Sequence, residues 1–146
     1  MKLDTTRFGT VEIQADDILF FRYGLFGFEE QQQWVLLSDT NNAAVAWLQS
    51  MQRADLAMPV ISPRRFVSEY QVQLDERQIS LLNLTREDQA YVLSIVSRNG
   101  QELTTNLRAP IVVNLDRRLG CQVVTADEQP LQFHLAHLPA AVRKSA

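Results

Sequence analysis

Few residues in this chain have the types and spacing that chemistry needs. Cys121 is the single cysteine. It falls inside an apolar stretch with no base near it in sequence, and a thiol becomes a nucleophile only as a thiolate beside a base or a cation. It reads as a small packed residue. His134 and His137 form H-x-x-H. On a helix the two rings would share a face, but two ligands make no metal site, and no cysteine or acidic cluster stands beside them at ligand spacing. Satisfied or solvated histidines are expected. Acidic doublets recur at Asp16-Asp17, Glu29-Glu30, Asp75-Glu76, Glu87-Asp88 and Asp127-Glu128. Paired carboxylates do acid–base work across a cleft, whereas sequence neighbours point apart. These doublets fall in turns and element starts, where carboxylates cap and solvate. Collectively they make an acidic rim that attracts a basic partner. Gly24-Leu25-Phe26-Gly27 matches the G-x-x-G of an RNA-clamping fold, but its apolar centre and the following Glu29-Glu30 disfavour phosphate. The sequence contains no G-x-S-x-G, no dinucleotide fingerprint and no P-loop.

The elements that would position such groups are mostly strands. With 146 residues, 46% of them hydrophobic, the chain suits one domain with one ordinary core. Fourteen Lys+Arg stand against 17 Asp+Glu, for a net charge of −3, which argues against direct nucleic-acid binding. One cysteine excludes an internal disulfide. The start, MKLDTTRFGTVEIQ, alternates polar and apolar residues without the apolar core of a signal peptide. No apolar run approaches the ~20 residues of a membrane span. A soluble cytoplasmic domain is expected.

Strand signals recur at Gly9–Gln14, Asp17–Arg22, Trp34–Leu37, Val45–Gln49, Leu56–Ile61 and Ala90–Ser97. Pro110–Leu115 and Cys121–Thr125 face each other across Asp116–Gly120 as a hairpin candidate. Pro59 suggests an edge strand or a bulge, since it cannot donate to a ladder. Asp75–Leu82 reads as a short helix with acids in its first turn, and Thr85–Asp88 as a second helical turn. The expected fold is mainly β: a small antiparallel barrel-like or sandwich domain of eight to eleven strands with one or two short helices. Residues 1–138 form the domain, and 139–146 a flexible C-terminal tail.

Several blocks now carry a family likeness. Gly24-Leu25-x-Gly27-Phe28-Glu29, Trp47-Leu48-Gln49-Ser50, Asp55-Leu56-Ala57 and Pro59-Val60-Ile61-Ser62-Pro63 occur in that order. Asn106-Leu107-Arg108-Ala109-Pro110-Ile111-Val112-Val113-Asn114 and Gly120-x-Gln122-Val123-Val124 follow. Over residues 3 to 138 the chain resembles the FliW flagellar assembly factors. The resemblance implies a non-catalytic cytoplasmic β protein without a cofactor, monomeric when free. It implies two partners, flagellin and the basic translational repressor CsrA. Bound flagellin frees CsrA to repress flagellin mRNA translation, and exported flagellin leaves the protein to sequester CsrA. It further implies two departures: Phe26 where Pro is frequent, and Cys121 where Lys is common.

The residues themselves suggest where partners would touch. Leu25 and Phe28 read as plugs for a barrel end, while Phe26, beside Glu29 and Glu30, has the composition of an interaction rim. Within one strand, Trp47 and Leu48 should face opposite ways, one into the core and one out. Pro59 and Pro110 would blunt strand edges. Met51 and Met58 suit either a core or an adaptable surface. Asn106 is a turn former, and Arg108 is a candidate contact. Phe26, Glu29, Glu30, Met58, Asn106, Leu107 and Arg108 are therefore the protein-binding candidates. Two other classes remain open: a small β-barrel hydrolase whose Asp55, Glu69 and Asp75 converge in space, and a structural oligomerisation module.

Overall fold

A computed structural model describes residues 1–85 and 90–135. The chain opens with an antiparallel hairpin of β1 (Lys2–Thr5) and β2 (Gly9–Glu12). Next come β3 (Ile18–Phe21), β4 (Gln33–Ser38), β5 (Val45–Ser50) and β6 (Ala57–Ile61). One α-helix, α1 (Glu76–Leu81), precedes the long β7 (Ala90–Asn99). The chain then adds β8 (Glu102–Thr105), β9 (Ile111–Asn114), β10 (Leu119–Gln122) and the two-residue β11 (Phe133–His134).

The order β7-β6-β5-β4-β3-β10-β9 closes on itself because β9 pairs β7 again. The ring has seven strands. A ring with an odd number of strands cannot alternate direction at every step, so one neighbouring pair must run parallel. That pair is β3 with β10, joined at Leu119↔Phe20 and Gly120↔Phe21. Thus the expected antiparallel barrel carries one parallel seam. β7 reaches ten residues because it serves three neighbours. Its first half pairs β9, Ile95 and Ser94 meet β6, and its far end pairs β8.

Residues at period two line the interior, as strand geometry dictates. Leu19 and Phe21, Trp34, Leu48, Val60, Leu93, and Ile111 with Val113 form one cluster, with Leu25 reaching it from outside the strands. β10 contributes no side chain at Gly120, because the Phe21 ring occupies that space: a Cβ there would lie 2.4 Å from the ring. The outer faces are covered as well. The β1–β2 hairpin packs Leu3 and Ile13 on Val35, and Leu82, just past α1, packs with Val112 and Cys121. Both faces of β5 are therefore buried, and Trp47 and Leu48 are 2% and 0% exposed. This corrects the expectation that one of the two faces solvent. Trp47 lies instead under the Phe8 ring and the Arg7 guanidinium of the first hairpin.

Pro59 is not on an edge either, since β6 lies between β5 and β7. It is tolerated because β7 pairs β6 only at Val60 and Ile61, which leaves Pro59 with β5 alone. The expected strand at Asp17–Arg22 begins one residue later, after a 3-10 turn over Ala15–Asp17. α1 forms with Asp75 as its cap, its carboxylate accepting from Gln78 N at 2.8 Å. The expected turn over Thr85–Asp88 falls largely, and the tail 139–146 entirely, outside the described residues.

Asp39 fixes the β4–β5 turn. Its carboxylate accepts from Asn41 N at 2.8 Å, Asn42 N at 3.1 Å and Trp47 Nε1 at 3.0 Å. Burial pushes its pKa up, but the Trp47 indole and the two amides outweigh that, and the net shift is downward. A depressed folded pKa stabilises the protein above the unfolded value, about 3.9, and is lost as pH falls through the folded one. Urea midpoints at about pH 7 and pH 3 should show a smaller acid loss for Asp39→Asn than for the wild type.

Candidate partner-binding surface

The loop from Gly24 to Glu30 turns on two glycines with positive φ, 64° at Gly24 and 86° at Gly27. Phe28 N donates to the Leu25 carbonyl at 2.7 Å. This tight reversal sends Leu25 into the barrel at 1% exposure and half-buries Phe28 against the same cluster, as the sequence suggested. Phe26, at the tip, is 52% exposed. Glu29 and the backbone at Gln31 beyond it are held in place. Glu29 Oε2 accepts from Gly27 N at 2.6 Å, and Trp34 Nε1 donates to Gln31 O at 2.7 Å. Glu29 and Glu30 are both exposed.

A single glutamine joins this loop to the other predicted segment. Phe26 N donates to Gln122 Oε1 at 2.7 Å, and Gln122 Nε2 donates to Ala109 O at 2.9 Å. The segment before Ala109 is an Asx turn, with Asn106 Oδ1 accepting from Arg108 N and Ala109 N. The Arg108 side chain, half-buried, donates to Gln129 O at 2.9 Å. Phe26, Glu29 and Glu30 thus share one rim, with Asn106 and Arg108 behind it through Gln122.

Two candidates are placed otherwise. Leu107 is 1% exposed, packs with Tyr70 and Val92, and its carbonyl accepts from the Tyr70 hydroxyl. It cannot touch a partner in this conformation; the Asx turn points it inward as an anchor. Met58 is half-buried against the main cluster from β6, across the ring from this rim.

Chemistry-bearing groups are dispersed. Burial, with Asp75 adding to it, pushes the Cys121 thiol up to about 11, so it stays protonated at neutral pH. His134 Nδ1 lies 3.2 Å from Glu102 Oε2 on an exposed surface, and His137 lies outside the described residues. Among the described residues no three His, Cys, Asp or Glu side chains gather as a metal site would need. Asp55 pairs with Arg53 at 3.1 Å, Asp75 caps α1, and Glu69 borders a hollow with Asp127. The hydrolase reading needed these three carboxylates together, and the structure keeps them apart.

One feature went unflagged in the sequence. Phe20 and Tyr23 are 39% and 53% exposed, Tyr23 lines a hollow with Phe26, and Arg22 and Arg77 lie against Tyr23. Strict alternation held the signal for Phe20: once Leu19 and Phe21 point inward, Phe20 must point out.

The model of the FliW protein family matches residues 2–135 of this chain. A flagellar assembly factor FliW of Clostridium tetani is 38% identical over 131 residues, covering 88% of this chain and 90% of the relative. One from Bdellovibrio bacteriovorus is 40% identical over 129 residues, covering 87% and 74%. A crystal structure of the flagellar assembly factor FliW superposes with a TM-score of 0.82 at 31% identity, covering 92% of this chain and 95% of that one.

Proposed function

This chain belongs to the FliW family of flagellar assembly factors, and from that premise we propose that it is a non-catalytic cytoplasmic partner switch. It binds flagellin as a chaperone, and it binds CsrA and relieves repression of flagellin mRNA translation. The observation that carries the reading is the rim at Phe26, an exposed aromatic on a rigid turn with two exposed carboxylates next to it. An immobilised aromatic loses little entropy on binding and supplies most of a contact's energy. The carboxylates favour encounter with a basic protein such as CsrA. Export-competent flagellin exposes amphipathic terminal helices, which need an apolar surface to prevent aggregation.

Calorimetry with flagellin, with CsrA, and with CsrA after flagellin saturation tests this. One-to-one flagellin binding that abolishes the CsrA heat is expected. Phe26→Ala should weaken one of the two complexes about tenfold, the effect of losing a contact of 1–2 kcal/mol. Glu30→Lys should slow CsrA association and flatten its salt dependence. Silence with both partners would overturn the reading.

A further inference from the structure

We propose that the groove between α1 and the β3–β10 seam is a docking surface for an amphipathic segment that carries carboxylates. The parallel seam sets Phe20 and Leu119 side by side as register partners. Since Leu19 and Phe21 fill the barrel, Phe20 faces outward into a hollow of about 420 Å³. That hollow shares Tyr23, Arg77 and Leu81 with a neighbour of about 220 Å³ that reaches Phe26. The result is one trough of mixed polar and apolar lining with three exposed aromatics along it.

Its charge selects the occupant. The guanidinium carbons of Arg22 and Arg77 each lie 5.7 Å from the Tyr23 ring centroid. Among the described residues neither pairs with a carboxylate. Both arginines lower the pKa of the Tyr23 phenol, the Arg77 side chain first and the charge of Arg22 next. Asp75, at the far end, is engaged by Gln78 N. A positive trough on a chain of net charge −3 is a local exception that the overall composition hides. Aromatic and arginine side chains are the residues that dominate interface energies. Guanidinium forks match carboxylates bidentately. A helix with an apolar stripe and flanking Glu or Asp satisfies both, whereas a basic helix would meet two like charges.

The test does not depend on flagellin or CsrA. Isotope-labelled protein is titrated with a designed helix of roughly 18 residues bearing Leu at i, i+3, i+4 and i+7 with flanking Glu, and with its isomer in which Lys replaces Glu. The Glu peptide should shift the amides of Phe20, Tyr23, Arg77 and Leu119 with a Kd on the order of 10–100 μM, and the Lys isomer should not. The double variant Arg22→Glu, Arg77→Glu should weaken the Glu peptide about tenfold or more and leave distant amides unmoved. Arg77→Gln alone should raise the Tyr23 titration seen at the tyrosinate absorbance band, which checks the contact in the free protein. Equal binding of both peptides, or no shift at about 1 mM, would overturn the proposal. So would a single-stranded oligonucleotide that occupies these amides while the Glu peptide does not. Self-association that covers the same amides would assign the trough to a second copy of the chain, and would overturn it too.

Discussion

Gly24→Ala should lower the unfolding free energy by about 3 kcal/mol or more, read as a drop in the urea midpoint. Two independent penalties add at this position. The residue holds φ at +64°, where a side chain is strained. A Cβ would also sit 2.4 Å from the Phe28 carbonyl oxygen and 2.7 Å from the Glu29 Cα and carbonyl oxygen, all backbone atoms that no rotamer change can move away. Gly27→Ala is the matched control. Its φ is +86°, but nothing lies within 4 Å of the added Cβ, so only backbone strain of about 1 kcal/mol remains. Equal losses for the two would mean that the loop relaxes freely, and that Phe26 is not rigidly presented. A larger loss at Gly24 would show that the turn is locked by its own backbone, as an aromatic anchor at its tip requires.

Trp34→Ala should cost about 3–5 kcal/mol, the range for deleting a fully buried large aromatic. Trp34 is 0% exposed at the centre of the barrel and touches the cluster to which nearly every ring strand contributes. Its Nε1 donates to the Gln31 carbonyl at 2.7 Å, while Gln31 Oε1 accepts from Ser50 Oγ at 2.7 Å. The same ring therefore fills the core and tethers the acidic segment. Trp34→Phe separates the two roles. It keeps most of the packing but leaves Gln31 O without its donor, a loss of about 1–2 kcal/mol. Hydrogen exchange should then rise around Glu29–Gln32 more than in β5. An unchanged exchange pattern would mean that the tether is supplied elsewhere, by the bond that Gln32 Nε2 donates to the Arg22 carbonyl among others.

How much of this was legible beforehand depends on the range of the interaction that decides each feature. Local chemistry is written in adjacent residues. Asp75–Leu82 with its leading acids reads as a short helix, Asp39-Thr40-Asn41-Asn42 as a turn, and Gly24 with Gly27 as a reversal; the turns are present, and the helix runs over Glu76–Leu81 with Asp75 as its cap. Short apolar runs at β3, β4 and β9 likewise announce strands, and the ordered blocks around Gly24 and Asn106 carry the family likeness. Three strands gave no such signal. β1 has four residues of which two are charged, β11 has two residues, and β8 hides Thr104 and Thr105 at 2% and 1% exposure. Threonines are buried there because a partner lies across the sheet: Thr105 Oγ1 sits 2.6 Å from Ser94 Oγ and donates to the Ile95 carbonyl.

By itself, then, the sequence determined the strand-rich class, the turns, the short helix and the family. Each of these follows from contacts within about ten residues or from ordered motifs. Only the tertiary structure decided which side of each residue meets water. It buried Trp47 under a hairpin 40 residues upstream, turned Leu107 onto Tyr70, and used Gln122 to bring Phe26 against Ala109. It also made the parallel seam at Phe20 and Leu119, which no local pattern encodes, because parity of a seven-stranded ring is a property of the closed whole. Exposure is set by what packs on a face from far along the chain, and so the docking trough became visible only once the barrel had closed.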